Sequence, residues 1–332
     1  MNNSDKIIDT FGRIHDYLRI SLTERCNLRC FYCMPEEGVA PREKSEFMTA
    51  EELIEIAKIF ISLGIKKIRL TGGEPLIKKD ASLIIKELGK LPVELAITTN
   101  GVLVDRFIDV MLEAGISAVN VSLDSLKEEQ FNQISKREYF QKIMKNIDLL
   151  LKNNFKVKIN AVLIKGVNDE EITDFIEWTR NSKIHVRFIE FMPFDGNNWD
   201  WEKKVSYDEI LQTAEIKFGT ENIHKLPDEP NKTSRNFKIA NALGTFGIIS
   251  TVTNPFCDSC NRIRLTADGK IKNCLFSQSE TDLLKFHRAN LPLAPIIAEA
   301  IASKQKERGG NGEFNNETVK TLNNRSMIRI GG

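Results

Sequence analysis

The N-terminal part of the chain alternates short strand-like runs with amphipathic stretches. YLRISL and KKIRLT are followed by four further runs: LAITTN, AVNVSLD, VKINAVLI and HVRFIEFM. Stretches such as LIEIAKIFISLG and FQKIMKNIDLLLKN separate them and carry apolar residues at helical spacing. The first helix is predicted to begin near Thr49, which forms a capping box with Glu52, and to end at Gly64. Six β-α units predict a parallel sheet, either open and doubly wound or forming an incomplete barrel, because a closed barrel needs eight.

The alternation inside the strands distinguishes these two architectures. In the first run Leu18 and Ile20 share one face, while Tyr17 and Arg19 share the other. Three more runs repeat this pattern, and their polar faces carry Arg69, Asn120 with Ser122, and Lys158. A doubly wound sheet buries both faces, so we expect these polar faces to border a solvated chamber. The pattern therefore favours an α/β fold with an incomplete (β/α)6 barrel, although an ordinary sheet with solvent-facing polar positions stays the alternative.

Composition and charge limit the possible partners. The 332 residues are 41% hydrophobic and 28% charged, which suits a large globular domain with a smaller one. The net charge of +1 argues against bulk nucleic-acid binding and against attachment to an anionic membrane. No apolar run approaches the roughly 20 residues of a membrane span, and the N-terminus lacks the form of a signal peptide. We therefore expect a cytoplasmic protein whose cysteines stay reduced.

The predicted chamber contains cations. Arg19, Arg69 and Lys158 would project inward from three strands, and buried positive charges require an anionic partner. A phosphorylated substrate would provide one, whereas an interior ion pair, with Asp124 as the available carboxylate, is the alternative. The chain has no GxxxxGK[ST] loop, so side chains are expected to bind the phosphate groups.

Three cysteines follow the first strand in SLTERCNLRCFYCM. Cys26, Cys30 and Cys33 lie within eight residues, and no fourth ligand completes the set at paired spacing. Such a group predicts a metal centre that is left open on one side. The turn Gly72-Gly73-Glu74-Pro75 ends the second strand and is expected on the same rim, where β/α barrels place their active sites.

A second group of three cysteines lies near the C-terminus in FCDSCNRIRLTADGKIKNCLF. Cys257 and Cys260 precede a predicted hairpin that turns at ADGK, and Cys274 follows it. A second open cluster is favoured, and a zinc site completed by His287 is the alternative. The alternating Arg262 and Arg264 would lie beside this group and add to the phosphate-binding charge.

The first cysteine group together with the GGEP turn resembles the radical S-adenosylmethionine superfamily. The resemblance implies that Cys26, Cys30 and Cys33 bind three irons of a [4Fe–4S] cluster, whose fourth iron binds S-adenosylmethionine. It also implies cofactor contacts by Tyr32, Gly73, Ser122 and Met192.

Two cysteine groups, the YLRISLTERC opening and the terminal Gly331-Gly332 resemble the GTP 3′,8-cyclase family over nearly the whole chain. This family of lyases performs the first step of molybdenum cofactor biosynthesis. The resemblance implies cleavage of S-adenosylmethionine to a 5′-deoxyadenosyl radical, hydrogen abstraction from C3′ of GTP and attack on guanine C8. It implies a second [4Fe–4S] cluster on Cys257, Cys260 and Cys274. The implied GTP-binding residues are Arg19, Arg69, Thr99, Lys158, Arg262, Ile263 and Arg264. Those implied in catalysis are Arg19, Arg262, Arg264, Gly331 and Gly332.

The resemblance also implies an organisation and partners. Residues 1–222 would form the radical S-adenosylmethionine partial barrel, and residues 223–332 would form a smaller iron–sulfur domain that closes its open side. A separate cyclic pyranopterin monophosphate synthase would receive the product, an unidentified low-potential donor would supply electrons, and the chain would be a monomer or homodimer. No nucleic acid or membrane partner is expected.

Two other functions stay open on the sequence alone. A related enzyme could modify a peptide or sugar, but a substrate without phosphate leaves the arginines unexplained. An electron-transfer protein could hold the clusters, but it would need neither the GGEP turn nor a polar chamber.

Overall fold

The structure, a computed structural model, describes residues 6–35, 38–40, 42–228, 231, 233–322 and 324–331. Within these residues twelve strands form one mixed sheet in the order β12-β11-β10-β1-β2-β3-β4-β5-β6-β9-β8-β7. The strands are β1 Tyr17–Ser21, β2 Lys67–Thr71, β3 Glu94–Thr99, β4 Ala118–Ser122, β5 Lys156–Leu163, β6 His185–Glu190, β7 Ile223–Lys225, β8 Arg235–Ile239, β9 Thr245–Ile249, β10 Arg262–Leu265, β11 Lys270–Lys272 and β12 Thr281–Asp282.

Helices follow each of the first six strands, and three more lie in the C-terminal part. The α-helices in the described residues are α1 Ala50–Ser62, α2 Ala81–Gly89, α3 Val104–Glu113, α4 Glu128–Ser135, α5 Phe140–Lys152, α6 Ile172–Asn181, α7 Tyr207–Phe218, α8 Leu283–Arg288, α9 Leu293–Ala302 and α10 Met327–Ile330. In the described part of the chain, no helix is both long and apolar enough to cross a membrane.

The six predicted strands β1 to β6 lie side by side in chain order and run parallel. The C-terminal part extends this sheet at both ends, because β10 pairs parallel with β1 and β9 pairs parallel with β6. The outermost strands each pair antiparallel with their neighbours: β11 and β12 lie beyond β10, and β8 and β7 lie beyond β9. The predicted α/β class and parallel core are confirmed, and the antiparallel outer strands make the sheet mixed.

Helix α1 shows how local sequence positions these elements. The Thr49 hydroxyl accepts a hydrogen bond from the backbone N–H of Glu52, whose carboxylate accepts from the Thr49 N–H, as the predicted capping box requires. Leu53 and Phe60 lie on its buried face. The helix ends at Ser62, slightly before the predicted Gly64.

The two faces of the parallel strands differ as the alternation predicts. Leu18 and Ile20 of β1, like Ile68 of β2, have no exposed surface and belong to the main hydrophobic core. On the opposite face, Tyr17 and Arg19 line a cavity instead. The sheet is therefore apolar on one face and polar on the other.

A second, smaller core holds the C-terminal segment in place. Phe194, from the loop after β6, stacks on Phe276, whose ring centroid lies 4.7 Å from that of Phe314. Ile330 of α10 is buried in the same cluster. These contacts direct the end of the chain toward the parallel strands.

Candidate active site

A cavity of about 480 Å³ lies against the polar face of the sheet. Asp16 and Glu94 are the acidic residues among the described residues that line it, whereas ten lysines and arginines do so. Such an excess of positive charge makes the cavity a site for an anion. The basic residues are Arg19, Lys66, Lys67, Arg69, Lys158, Arg187, Arg262, Arg264, Lys272 and Arg308.

The inner arginines are crowded together. Burial and neighbouring cations lower the pKa of Arg187 to about 9 and that of Arg264 to about 10, and they hold the pKa of Arg19 well below its ordinary value. Arginine nevertheless keeps its proton in proteins, so this crowding is best relieved by a bound anion. Nε and Nη2 of Arg187 have no hydrogen-bond partner in the described part of the chain.

Tyr17 is an acidic group inside this positive field. Its hydroxyl accepts a hydrogen bond from Nε of Arg69 at 2.6 Å, and the ammonium of Lys67 lies 5.6 Å from the centre of its ring. Burial alone would raise the pKa of Tyr17, but Arg69 and Arg19 together with Lys67 lower it to about 7. Arg69 also donates to the Ile97 carbonyl at 2.8 Å, so its guanidinium has a defined orientation.

The second cysteine group opens into the same cavity. Cys257, Cys260 and Cys274 all line it, because the predicted hairpin between β10 and β11 returns the chain past the first two thiols. His287, the fourth ligand of the alternative zinc site, instead pairs with Glu55 of α1 at 3.2 Å. Among the described residues, no three His, Cys, Asp or Glu side chains are grouped to hold a single metal ion. The thiols of an iron–sulfur cluster bind different irons and therefore stand further apart.

Cations surround this second group. Nζ of Lys304 donates a hydrogen bond to Sγ of Cys260 at 3.4 Å. Although burial alone would raise it, Lys304 and Arg262 lower the pKa of the Cys260 thiol. Burial raises the pKa values of Cys257 and Cys274. Thiolate is the form that binds iron, and the cations beside Cys260 favour it there, so three thiols in this setting fit a cluster.

The first cysteine group lies on the loop after β1, which the GGEP turn holds by backbone hydrogen bonds. The Gly73 N–H donates to the Thr23 carbonyl at 2.7 Å, and the Glu74 N–H donates to the Arg25 carbonyl at 2.8 Å. A Cβ atom on Gly73 would lie 2.3 Å from the Arg25 carbonyl oxygen, so only glycine fits here. The turn and the cysteine loop thus form one unit.

The thiols of the first group are close enough to affect one another. Burial is the main reason that the pKa of Cys26 rises to about 11 and that of Cys33 to about 12, and that the pKa of Cys30 lies well above its ordinary value. The other thiols and Asp124 add to the rise at Cys30. Sγ of Cys26 accepts hydrogen bonds from the Leu28 N–H at 3.4 Å and from Nδ2 of Asn100 at 3.7 Å. Three converging sulfurs with amide donors fit an iron–sulfur cluster.

Asp124 lies beside the first cysteine group and, in the described part of the chain, does not pair with the cations of the chamber. Its carboxylate accepts hydrogen bonds from the Tyr32 hydroxyl at 2.7 Å and from the Val162 N–H at 2.9 Å, and burial raises its pKa to about 6. Of the predicted cofactor contacts, Met192 lines the cavity, whereas Ser122 ends β4 half-buried outside its lining. The first cysteine group does not line the cavity either.

Two predicted substrate contacts do not bring their side chains to the cavity. The Thr99 hydroxyl is buried and donates to Oε1 of Glu74 at 2.8 Å. Ile263 lies between Arg262 and Arg264 on β10, so its side chain points to the opposite, fully buried face. Neither residue lines the cavity.

The end of the chain reaches the strands that carry the first cysteine group. The Gly331 carbonyl accepts a hydrogen bond from Nη1 of Arg264 at 2.6 Å. Gly331 has a φ of +86°, and a Cβ atom there would lie 2.7 Å from Cβ of Ser21 and 2.9 Å from Oγ1 of Thr71. Gly332 lies outside the described residues.

Sequence reasoning overlooked several cations of the site. Arg187 occupies the polar face of β6, and the alternation of HVRFIE could have identified it. Lys272 and Arg308 also line the cavity. Lys304 had no comparable signal, because its approach to Cys260 depends on packing between distant segments.

Comparisons with known proteins identify the family of this chain. Residues 20–179 match the family described as Radical SAM superfamily, and residues 184–309 match Molybdenum Cofactor Synthesis C. A Listeria welshimeri protein named GTP 3′,8-cyclase is 40% identical, with 98% of each chain covered. The mitochondrial GTP 3′,8-cyclase of Arabidopsis thaliana is 43% identical, over 99% of this chain and 84% of the relative.

Other relatives are longer. Molybdenum cofactor biosynthesis protein 1 of Dictyostelium discoideum is 42% identical over 98% of this chain, but the chain spans only 52% of that protein. The chain thus covers about half the length of several curated relatives. The structure of Streptococcus suis SuiB bound to S-adenosylmethionine has a TM-score of 0.66 at 14% identity, covering 96% of this chain and 73% of that one, which shows a shared fold. The chain therefore belongs to the GTP 3′,8-cyclase family of the radical S-adenosylmethionine superfamily.

Proposed function

We propose that this chain cyclises GTP to (8S)-3′,8-cyclo-7,8-dihydroguanosine 5′-triphosphate, the first step of molybdenum cofactor biosynthesis. The observation that carries the proposal is the cavity in which ten basic side chains and the second cysteine group face the same space. A nucleoside triphosphate offers both an anionic end for the cations and a base for an open iron. The relatives named GTP 3′,8-cyclase support this assignment.

The first cysteine group holds the cofactor in this proposal. Cys26, Cys30 and Cys33 bind a [4Fe–4S] cluster, and the open iron takes S-adenosylmethionine. When bound, these groups supply one-electron cleavage of the sulfonium and the radical that abstracts the ribose C3′ hydrogen. Gly73, whose turn packs tightly against the cysteine loop, is the proposed contact for the methionine part of the cofactor. The remaining proposed cofactor contacts are Tyr32, Ser122 and Met192.

The cations of the chamber bind and orient the triphosphate. Arg69, oriented by Tyr17 and the Ile97 carbonyl, presents a fixed guanidinium to one phosphate group. In the described part of the chain, Nε and Nη2 of Arg187 have no hydrogen-bond partner, so both can donate to another phosphate group. Holding the substrate in one orientation converts the encounter of ribose and cofactor into a unimolecular event. Further proposed contacts are Arg19, Lys158, Arg262 and the backbones of Thr99 and Ile263.

The second cysteine group fixes the base. Cys257, Cys260 and Cys274 would hold a [4Fe–4S] cluster, which would supply an open iron for a nitrogen or oxygen atom of guanine. Arg264, which lines the same cavity, positions the end of the chain by donating a hydrogen bond to the Gly331 carbonyl. The Gly331-Gly332 end supplies backbone without side chains, which permits close approach to the reacting groups.

The finer architecture and the partners belong to the same proposal. Residues 1–222 form an incomplete barrel of six β/α units, and residues 223–332 form the auxiliary-cluster domain that closes its open side. The placement of β10 beside β1 and of β9 beside β6 supports such a closure. The partners are a low-potential electron donor and a separate cyclic pyranopterin monophosphate synthase.

The test is an anaerobic reconstitution followed by product analysis. Protein reconstituted with iron and sulfide should contain two clusters per chain by iron and sulfide counting. With a strong reductant and S-adenosylmethionine, it should convert GTP to the cyclised nucleotide. ATP or a peptide in place of GTP should give no product. 5′-Deoxyadenosine without any nucleotide product would show a different radical enzyme, and its complete absence would leave only an electron carrier.

A further inference from the structure

Lys304 is a buried cation on the second cysteine group. It follows the C-terminal end of α9, and only 3% of its surface is exposed. Its ammonium donates to Sγ of Cys260 at 3.4 Å and to the Arg262 carbonyl at 3.1 Å. A buried ammonium is costly unless an anion lies close to it. A cluster-bound thiolate provides that negative charge.

The N-terminal segment holds Lys304 in this position. Nη1 of Arg13 donates to the carbonyls of Cys257 at 2.9 Å and Lys306 at 2.6 Å, and Nη2 donates to the Gln305 carbonyl at 2.9 Å. Asp9 accepts from Nε of Arg13 at 2.5 Å and fixes the guanidinium in turn. One arginine therefore ties the residues after Lys304 to the backbone of a proposed cluster ligand.

The first cysteine group has a different arrangement. There the sulfur-directed hydrogen bonds in the described part of the chain come from the neutral amides of Leu28 and Asn100, both to Cys26. An ammonium donor differs from an amide because it adds a full positive charge as well as a hydrogen bond. In the described part of the chain, a sulfur of the second group, that of Cys260, accepts a hydrogen bond from a positively charged donor.

We propose that Lys304 is a positioning residue that raises the reduction potential of the C-terminal cluster through its contact with the Cys260 sulfur. The inference rests on the proposed function, because it requires that Cys257, Cys260 and Cys274 hold a redox-active cluster. Reduction adds one negative charge to the cluster, and a nearby buried cation stabilises that charge. Hydrogen bonds to cluster sulfurs and local charge are both known determinants of cluster potential.

The potential can be measured directly by redox titration followed by electron paramagnetic resonance. Lys304→Met removes the charge and the donor while keeping most of the length of the side chain, and Lys304→Arg keeps the charge and the donor. Lys306→Met is the matched control, because it removes an exposed lysine two positions away. Each variant is examined in the full-length enzyme and again with Cys26, Cys30 and Cys33 replaced by alanine, where only the second cluster contributes.

We expect Lys304→Met to lower the midpoint potential of the second cluster. At the midpoint potential of the wild-type protein, the ratio of reduced to oxidised cluster in Lys304→Met should be about tenfold lower. This ratio corresponds to a shift of about 59 mV in the midpoint potential for one electron. Lys304→Arg and Lys306→Met should stay near the wild-type value. Lys304→Gln, which keeps a neutral donor, should give an intermediate value.

Each outcome decides between distinct conclusions. An unchanged potential in Lys304→Met, with an intact second cluster, overturns the proposal while leaving the proposed function standing. Loss of the cluster in both the Met and Gln variants also overturns it and assigns Lys304 to cluster assembly. If the variant with Cys26, Cys30 and Cys33 replaced by alanine and Lys304 unchanged is folded but contains zinc or no iron, the proposed function itself fails.

Discussion

The two cysteine groups of this chain have the same number of thiols, but they differ in the charge that surrounds them. Cys26, Cys30 and Cys33 lie on one loop, where burial raises all three pKa values and Asp124 adds to the rise at Cys30 and Cys33. In the second group, Lys304 contacts the sulfur of Cys260 and lowers the pKa of that thiol against the effect of burial.

The proposed function gives the two clusters different tasks, and the different surroundings of the two cysteine groups suit these tasks. An environment that penalises negative charge makes a cluster harder to reduce and therefore a stronger reductant, as sulfonium cleavage requires. An environment rich in cations favours negative charge, whether it comes from a reduced cluster or from a triphosphate. The second group lies in the cation-lined cavity and the first does not.

Removing one thiol from either group should separate the two tasks and has the largest expected effect. Cys30→Ala should abolish 5′-deoxyadenosine formation while iron stays at the second group, since only the first group would bind S-adenosylmethionine. Cys274→Ala should do the reverse and retain iron at the first group while losing GTP cyclisation. Iron counting with chromatography of 5′-deoxyadenosine checks both. Cofactor cleavage by Cys30→Ala would remove the distinction between the groups.

Loss of a cavity cation should weaken substrate binding without affecting the first group. Arg69→Ala should cost about 1.5–3 kcal/mol of GTP binding free energy, or roughly ten- to a hundredfold in Kd, because a buried charged hydrogen bond is lost. Calorimetry with GTP and with guanosine measures it, and guanosine is the control because it has no triphosphate. Equal losses for both ligands would place Arg69 away from the phosphate groups.

The opposite pKa shifts should appear as different thiol reactivities in protein without clusters. At pH 8 a thiol with a pKa near 11, such as Cys26, is almost entirely protonated, whereas the lowered pKa of Cys260 gives more thiolate. Iodoacetamide should therefore modify Cys260 about tenfold faster than Cys26. This estimate allows for the lower intrinsic nucleophilicity of a thiolate whose pKa is lower. Mass spectrometry of anaerobic, reduced protein provides the rates. Comparable rates at the two sites would contradict the electrostatic difference.

The C-terminal tail links the two regions, and loosening it should have the smallest effect. Arg325 pairs with Asp268 at 2.9 and 3.0 Å and with Glu280 at 2.5 Å. It thereby holds the tail to the turn between β10 and β11 and to the segment between β11 and β12. Arg325→Gln should speed the release of terminal residues by carboxypeptidase a few-fold, because a partly buried ion pair is lost. Arg288→Gln, which removes an exposed pair with Glu52, is the control. Equal release from all three proteins would show that the pair does not hold the tail.

Acid should weaken the same attachment. Against the effect of burial, hydrogen bonds from Arg325 and Thr266 hold the pKa of Asp268 at about 2, below its ordinary value of 3.8. A lowered pKa in the folded state contributes stability above the ordinary value, and this contribution is lost as pH falls through 3.8 toward 2. Arg325→Gln should therefore lose less stability than wild-type protein between those pH values in acid unfolding.

Much of the local structure was predictable, because local structure has a short-range cause. The capping box of α1, the hairpin that turns at ADGK and the one-sided polarity of β1 each depend on residues a few positions apart. Both cysteine groups were also evident from spacing. For the same reason Arg187 could have been found, since strand alternation alone places it on the face of Arg19 and Arg69.

The sequence by itself determined the strand and helix pattern, the six thiols and the inward cations. Only the tertiary structure decided that β10 lies beside β1, that Asp124 serves Tyr32 rather than the chamber, and that Lys304 reaches Cys260. These contacts join segments far apart in the chain, and which segments meet depends on how helices and strands pack together. Periodicity describes the faces of single elements, whereas the environment of each thiol depends on the elements that surround it.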